Sequence, residues 1–183
     1  VSLGQLSKAG LTDRHVRAWL RAERIVGTTA RAVFRMPGAE VTWRQELWVA
    51  ILAGPRGTVA SHASAAALRG LLPPPPNPHV TVARNASGRF AGAVIHHATL
   101  AGADRCRFDG IPTTGVARAI VDCAALLDQD ALDDLVDAAL GRNLSTYRRV
   151  RAAWDRAGHV RGGRRLDAAI SPFSGSVRLG SDV

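Results

Sequence analysis

The 183-residue sequence predicts an α+β protein in which a small sheet is combined with several helices. Two stretches, residues 79–84 and 93–98, are rich in β-branched residues and predict strands. Apolar residues recur at helical spacing near the start of the chain and through most of its second half. Hydrophobic residues make up 46% of the chain, which is enough for a core and argues against a disordered protein.

The segment LTDRHVRAWLRAERI, residues 11–25, predicts an amphipathic helix with Thr12 or Asp13 as its N-cap. Its apolar stripe, at positions i, i+3 and i+4, is Val16, Trp19 and Leu20. Its cationic stripe, on a different face, is Arg14, Arg17 and Arg21. A solvated charged face on a surface helix is one explanation of this pattern, and the reading helix of a DNA-binding module is the other.

The segments on either side favour the DNA-binding explanation. LGQLSKAG, residues 3–10, predicts a short helix ended by Gly10. RIVGTTARAVFRM, residues 24–36, predicts two short strands joined by a turn. Helix, turn, arginine-rich helix and hairpin is the order of a winged helix-turn-helix. That fold needs one more helix, which either precedes Val1 or is supplied by WRQELWVAILAG, residues 43–54.

The distribution of charge also favours a nucleic-acid partner. Residues 1–36 hold seven Lys/Arg and two Asp/Glu, a net charge of +5, whereas residues 37–183 hold 17 and 13, a net charge of +4. We therefore expect double-stranded DNA to bind the first segment. The expected contact residues on the helix and the wing are Thr12, Arg14, His15, Arg17, Arg21, Thr28, Thr29 and Arg31.

A second, mixed α/β domain is predicted over residues 43–170, after a first domain over residues 1–36. Its strands, HVTVAR and AVIHHA, predict a hairpin-like pair, with RCRF (105–108) as a candidate third strand. Beyond DGIPTT the pattern is helical. Asp128 and Ser145 are predicted N-caps, Gly141 is a predicted helix end, and residues 171–183 are a predicted linker or loop.

No residue pattern predicts catalysis or a cofactor. Ser61 and His62 are adjacent on a predicted helix, where side chains point about 100° apart, so we expect no nucleophile–base pair. His96 and His97 are adjacent in a strand and face opposite ways. The two cysteines match no metal-ligand spacing, and no glycine-rich phosphate loop is present. We expect a protein that is not an enzyme and has no metal and no cofactor.

An acidic face is predicted on the helix after Asp128. It comprises Asp130, Asp133, Asp134 and Asp137. A solvated surface is one interpretation, and a docking surface for a basic protein partner is the other. No apolar run approaches the length of about 20 residues that a membrane span needs, so we expect no membrane partner. With Cys106 and Cys123 as the only cysteines, we expect a cytoplasmic protein with two reduced thiols.

Four stretches, in this order and spacing, resemble the actinobacterial AbiEi-type antitoxins of type IV toxin–antitoxin systems: LSKAGLTDRHVRAWLRAERI, VASHASAAALRGLLPPPP, HVTV and DGIPTTGVARAIVDCAALL. The resemblance covers roughly residues 3 to 170. It implies a transcriptional regulator that binds its own promoter and counteracts a nucleotidyltransferase-like toxin. Many relatives continue into a Vsr-like endonuclease domain, whose acidic motif is absent here. The alternatives are the regulatory portion of such a longer endonuclease, or a protein-interaction module with a vestigial helix-turn-helix.

Overall fold

The computed structural model describes residues 1–86 and 92–172, which form two compact units. Unit 1 comprises Val1–Ala60 and Pro76–Ala98, and unit 2 comprises Ser61–Pro75 and the chain from Thr99 onward. The domains predicted over 1–36 and 43–170 divide the chain differently and stay predictions, because compactness alone does not test which parts function separately. The predicted linker at 171–183 lies outside the described residues beyond Pro172.

Unit 1 begins with two short helices, α1 (Leu3–Lys8) and α2 (Asp13–Arg21). Gly10 has φ +84°, a backbone conformation that favours glycine, and it reverses the chain between the helices. A hairpin follows, in which β1 (Val26–Gly27) pairs antiparallel with β2 (Phe34–Arg35). The predicted order of two helices and a hairpin is therefore confirmed at the level of these elements.

The hairpin gains a third chain segment that the sequence did not predict. Ser2 forms an antiparallel bridge with Val33, and the Phe34 amide donates a 2.8 Å hydrogen bond to the Val1 carbonyl. The first two residues therefore lie alongside β2. Two residues are too short to produce a periodic signal, which explains why the sequence pattern did not reveal them.

Two small cores hold the start of unit 1 together. In the first, α1, α2 and the hairpin meet through Leu6, Val16 and Ile25, with Leu3, Leu11, Trp19 and Phe34 packed around them. In the second, α3 (Trp43–Ala53) packs on the hairpin through Ala30, Val33 and Val49, with Leu52 and Ala53 beside them. The helix predicted over 43–54 is thus present, and it contacts the hairpin.

The remaining strands of unit 1 are β3 (Val59–Ala60), β4 (His79–Val82) and β5 (Val94–His97). β4 pairs antiparallel with β3 and parallel with β5. The hairpin-like pairing predicted for β4 and β5 is therefore wrong. Residue patterns indicate which residues of a strand are buried but not the direction in which its neighbour runs, and that direction decides between the two pairings.

Unit 2 contains a second hairpin, formed by β6 (Arg105–Phe108) and β7 (Ile111–Thr114). Asp109 and Gly110 have φ values of +48° and +77°, as a tight two-residue hairpin turn requires. The candidate strand RCRF is confirmed as β6. Its partner β7 was not predicted, because in the sequence DGIPTT marks only the point beyond which the pattern is helical.

Among the described residues, unit 2 also contains five α-helices: α4 (His62–Ala67), α5 (Val116–Cys123), α6 (Gln129–Gly141), α7 (Tyr147–Ala157) and α8 (Gly163–Ile170). They share one apolar core, in which Ile120, Leu132, Val150 and Leu166 are fully buried. The sequence predicted a helical pattern in this range but did not predict α8 as a separate helix. Within the described residues, no helix is long and apolar enough to cross a membrane.

Of the three helix ends predicted in unit 2, one is confirmed and two are wrong. Asp128 caps α6 as predicted, accepting a 3.0 Å hydrogen bond from the Ala131 amide. Ser145 does not cap α7, because it is buried and the next residue, Thr146, accepts the hydrogen bond from the Arg149 amide instead. Gly141 still belongs to α6, and Asn143, with φ +55°, takes the left-handed conformation after it.

Candidate nucleic-acid interface

Helix α2 presents one packed side and one cationic side. Val16 is buried against α1 and the hairpin, and Trp19 packs beside it. Arg14, Arg17 and Arg21 are all exposed. At about 100° per residue these three arginines fall within an arc of roughly 60°. The side chains that the sequence assigned to solvent are therefore together on one exposed surface, which we call the arginine face.

Leu20 departs from the prediction. It was assigned to the apolar stripe, but 37% of it is exposed. Viewed along the helix axis, the packed side of α2 is centred between Val16 and Trp19. Leu20 lies outside this packed side, between Val16 and Arg17. An exposed leucine beside the arginine face is an apolar group of the type that contacts the methyl group of thymine in the major groove.

Thr12 and His15, two of the predicted DNA contacts, form the first turn of α2. The Thr12 hydroxyl accepts a hydrogen bond from the His15 amide, and the Thr12 amide donates to Nδ1 of His15 at 3.2 Å. This is a capping box in which histidine takes the place of the usual glutamate or glutamine. Because Nδ1 accepts a hydrogen bond from the Thr12 amide, Nε2 is the ring nitrogen that can donate a hydrogen bond to a ligand, and the ring is exposed.

The three predicted wing residues differ in their surroundings. Thr28 is half-buried, and its hydroxyl lies 3.0 Å from the Val33 carbonyl and accepts from the Ala30 amide at 3.3 Å. It holds the loop between β1 and β2 in shape. Thr29 and Arg31 are exposed in that loop. Of the three residues, these two are the ones free to contact a ligand on the wing.

The charge of the chain is less confined to its start than expected. Residues 142–167 contain eight arginines and two aspartates, a net charge of +6. The total for residues 37–183 conceals this segment, because the aspartate-rich α6 lies in the same range. Several of the arginines bind protein groups. Arg142 donates to the Gly70 carbonyl, Arg151 pairs with Asp155, and Arg156 pairs with Asp104.

The predicted acidic face is present on α6, with one exception. Asp130, Asp134 and Asp137 are exposed. Asp133 is half-buried and accepts a 2.8 Å hydrogen bond from Nε2 of Gln129. Three carboxylates of the four therefore remain on the surface as a candidate contact for a basic partner.

Ser61 and His62 contact each other, contrary to the prediction from helical spacing. Ser61 is the N-cap and so has extended backbone, and His62 has φ +51°, so neither side chain follows the helical directions. Ser61 Oγ lies 2.9 Å from Nδ1 of His62, and Asp122 Oδ2 lies 4.0 Å from that same nitrogen. A nucleophile–base–carboxylate relay uses the two ring nitrogens separately, so this arrangement is not such a relay.

The same region of unit 2 holds a buried ionic cluster, which the sequence analysis missed. Asp104 is 2% exposed and binds both Arg118, at 3.4 Å, and Arg156, at 2.6 Å. Arg118 also donates a 2.8 Å hydrogen bond to Asp122. Burial raises the pKa of Asp122 to about 6, and Arg118 opposes that increase. The available signal was Arg118 and Asp122 at i, i+4 within the otherwise apolar GVARAIVD.

A pair of histidines lies in the sheet of unit 1. His79 Nδ1 and His96 Nε2 are 3.0 Å apart, and the rings stack with centroids 5.2 Å apart. Burial, with the neighbouring histidines His79 and His97, lowers the pKa of His96 to about 4. His96 is half-buried and His97 exposed, consistent with the predicted opposite faces.

Across residues 1–86 and 92–172, no three His, Cys, Asp or Glu side chains converge as metal ligands would.

Comparison with models of protein families and with curated proteins finds no match to this chain. The resemblance to AbiEi-type antitoxins therefore rests on the four quoted motifs alone.

Proposed function

We propose that this protein is a DNA-binding transcriptional regulator of the antitoxin type, which binds its own promoter. The observation that carries the proposal is the arginine face. Three exposed guanidiniums lie within a narrow arc of a helix whose opposite side is packed by Val16 and Trp19. Such a helix can enter the major groove without giving up any of the contacts that hold it in the fold.

The neighbouring elements support a winged helix-turn-helix. α1, Gly10 and α2 supply the helix-turn-helix, β1 and β2 supply the wing, and α3 packs on the hairpin as a third helix. In this arrangement Arg14, Arg17 and Arg21 contact bases and phosphates. Thr29 and Arg31 contact the DNA backbone from the wing. Thr12 and His15 mainly cap α2. Of their side-chain groups, only Nε2 of His15 contacts DNA.

The proposed partner beyond DNA is a nucleotidyltransferase-like toxin. This part rests on the family resemblance, and the exposed carboxylates of α6 offer a surface for a basic protein. Under this proposal the protein is cytoplasmic and is not an enzyme. Two alternative functions would be carried by the same residues, 1–172. One is the regulatory portion of a longer Vsr-like endonuclease, and the other is an interaction module with a vestigial helix-turn-helix.

The experiment is duplex binding as a function of salt, with two charge-matched variants. If 4–6 phosphates are contacted, the slope of log K against log salt is about −4 to −5. Arg14→Gln with Arg17→Gln removes two charges from the arginine face, and Arg148→Gln with Arg149→Gln removes two exposed charges from α7. We expect the first variant to weaken binding and to reduce the slope by up to about two. The second should leave both nearly unchanged.

A flat salt response, or equal losses in the two variants, contradicts the proposal. A promoter fragment from the upstream region of the gene should bind more tightly than unrelated duplex of equal length. Equal affinities for the two would leave a non-specific DNA-binding protein and would contradict the regulator.

A further inference from the structure

Unit 2 contains a surface cavity that the proposed DNA-binding function does not use. Its volume is about 580 Å³, within the range of about 300–1,000 Å³ that is usual for sites of small organic ligands. It lies where α7 ends and α8 begins, and its walls come from Trp154 and the loop GHVRGGRR, residues 158–165. Three arginines and one histidine line it: Arg161, Arg164, Arg165 and His159.

The wall of the cavity is held in place by contacts with the end of α5. Gly162 has φ +82°, and a Cβ at that position would overlap the carbonyl oxygen of Ala124. Arg165 donates a 2.9 Å hydrogen bond to the same oxygen. Gly162 therefore allows the backbone of the loop to approach the end of α5 closely, and Arg165 anchors the loop there.

Two cationic side chains at the cavity remain available. Arg161 and Arg164 are exposed, and within residues 1–86 and 92–172 neither guanidinium has a hydrogen bond or ion pair. Their charges are therefore not neutralised by the protein groups described. Guanidinium groups bind phosphate through paired, charge-assisted hydrogen bonds, which makes an organic phosphate the chemistry that suits them.

The backbone adds to the attraction for an anion. α8 begins at Gly163 after the N-cap Gly162, and no side chain among the described residues caps it. The amides of its first turn and the positive end of the helix dipole lie at the cavity wall, beside Arg164. The helix end adds to the attraction that the exposed guanidiniums of Arg161 and Arg164 exert on an anion in the cavity.

An aromatic wall completes the cavity. Trp154 is half-buried and lines the cavity. The guanidinium of Arg151 lies over its ring, 4.9 Å from the ring centroid. A phosphate alone would need no aromatic neighbour, whereas a nucleotide would place its base there. We propose that this cavity binds a nucleotide, with its phosphate held by Arg161, Arg164 and the start of α8 and its base against Trp154.

Calorimetric titration of the full chain at low salt tests the proposal with AMP, inorganic phosphate and adenosine as probes. We expect AMP to bind saturably, inorganic phosphate to compete with it, and adenosine to bind about tenfold more weakly or worse. Arg161→Gln with Arg164→Gln should weaken AMP binding by about tenfold or more. Arg148→Gln with Arg149→Gln, of equal charge change in the same unit, should stay within about twofold.

Trp154→Phe separates the base from the phosphate. It should weaken AMP binding and leave phosphate binding unchanged, and the retained phosphate binding also reports that the loop is folded. Absence of AMP and phosphate binding up to about 10 mM overturns the proposal. So do equal losses in the two arginine pairs, which would indicate general charge attraction, or an unchanged AMP affinity in Trp154→Phe.

A free nucleotide and a nucleotide within a strand share this chemistry. If a short oligothymidylate displaces AMP, the site binds single-stranded nucleic acid. If it does not displace AMP, the site binds free nucleotides. Both results are consistent with a nucleotide site in this cavity. The site is also separable from the proposed DNA-binding function. Arg14→Gln with Arg17→Gln should bind AMP normally, and Arg161→Gln with Arg164→Gln should bind duplex DNA.

Discussion

Arg118 donates a 2.8 Å hydrogen bond to Asp122 one turn further along α5, with both side chains buried. The other carboxylate oxygen, Oδ2 of Asp122, has no hydrogen-bond partner among the described residues and lies 4.0 Å from His62 Nδ1. Burial outweighs the attraction of Arg118 and raises the pKa of Asp122 to about 6. Folding therefore favours the protonated form of this carboxyl group.

We predict a pH-dependent contribution of Asp122 to stability. Its pKa in the folded protein, about 6, exceeds the ordinary value of 3.8. The contribution is therefore fully present below about pH 4 and is lost as the pH rises to about 6. Two pKa units correspond to about 3 kcal/mol. Asp122→Asn should lack this dependence, so urea unfolding from pH 4 to 7 should give curves that diverge with rising pH. Parallel curves would show that Asp122 does not titrate in this range.

Trp19→Ala and Arg17→Ala should have different effects, because they lie on opposite sides of α2. Loss of Trp19 from the cluster with Leu6 and Ile25 should cost about 3–5 kcal/mol of unfolding free energy. Loss of the exposed Arg17 should leave the melting temperature nearly unchanged and weaken specific DNA binding by about 1–3 kcal/mol if it contacts a base. If it contacts a phosphate, affinity should fall for every sequence. A stability loss in Arg17→Ala with unchanged DNA affinity would reverse our assignment of the faces.

His15 allows the cap of α2 to be separated from DNA contact. His15→Ala removes the acceptor for the Thr12 amide and should cost about 0.5–1 kcal/mol. His15→Gln should restore the stability, because glutamine at this position completes a capping box, as Gln5 does in α1. Thermal unfolding and duplex binding are measured together. If His15→Gln is stable but binds DNA as weakly as His15→Ala, the imidazole contacts DNA; equal binding by all three proteins assigns it to the cap alone.

Two glycine-to-alanine changes should have opposite signs. Gly162→Ala adds a Cβ at a position with left-handed backbone conformation, where the Cβ would overlap the Ala124 carbonyl oxygen. We expect it to destabilise unit 2 by about 2–4 kcal/mol. Gly141→Ala lies in α6 with open space around it and should stabilise the protein by about 0.4–1 kcal/mol. Denaturant unfolding of both variants measures the difference. A neutral Gly162→Ala would mean that the loop at the cavity is free to move away from α5.

The sequence by itself determined the features that depend on neighbouring residues. The apolar and cationic stripes of α2, its start at Thr12, the hairpin after it and the Asp128 cap all arise from spacing within a few positions of the chain. The arginine face could be predicted for the same reason. The local pattern nevertheless assigned Leu20 to the packed face, whereas the structure exposes it. The position of the packed face is set by α1 and the hairpin, which the local pattern does not include.

Only the tertiary structure decided the features that depend on distant residues. The parallel pairing of β4 with β5 depends on the path of the chain between them. The burial of Ser145 moved the cap of α7 to Thr146. Asp104 joins Arg118 and Arg156 across 14 and 52 positions, and the cavity at α8 depends on the contact of its loop with Ala124. Periodicity cannot detect such pairings, because burial and charge compensation are set by elements far apart in the sequence.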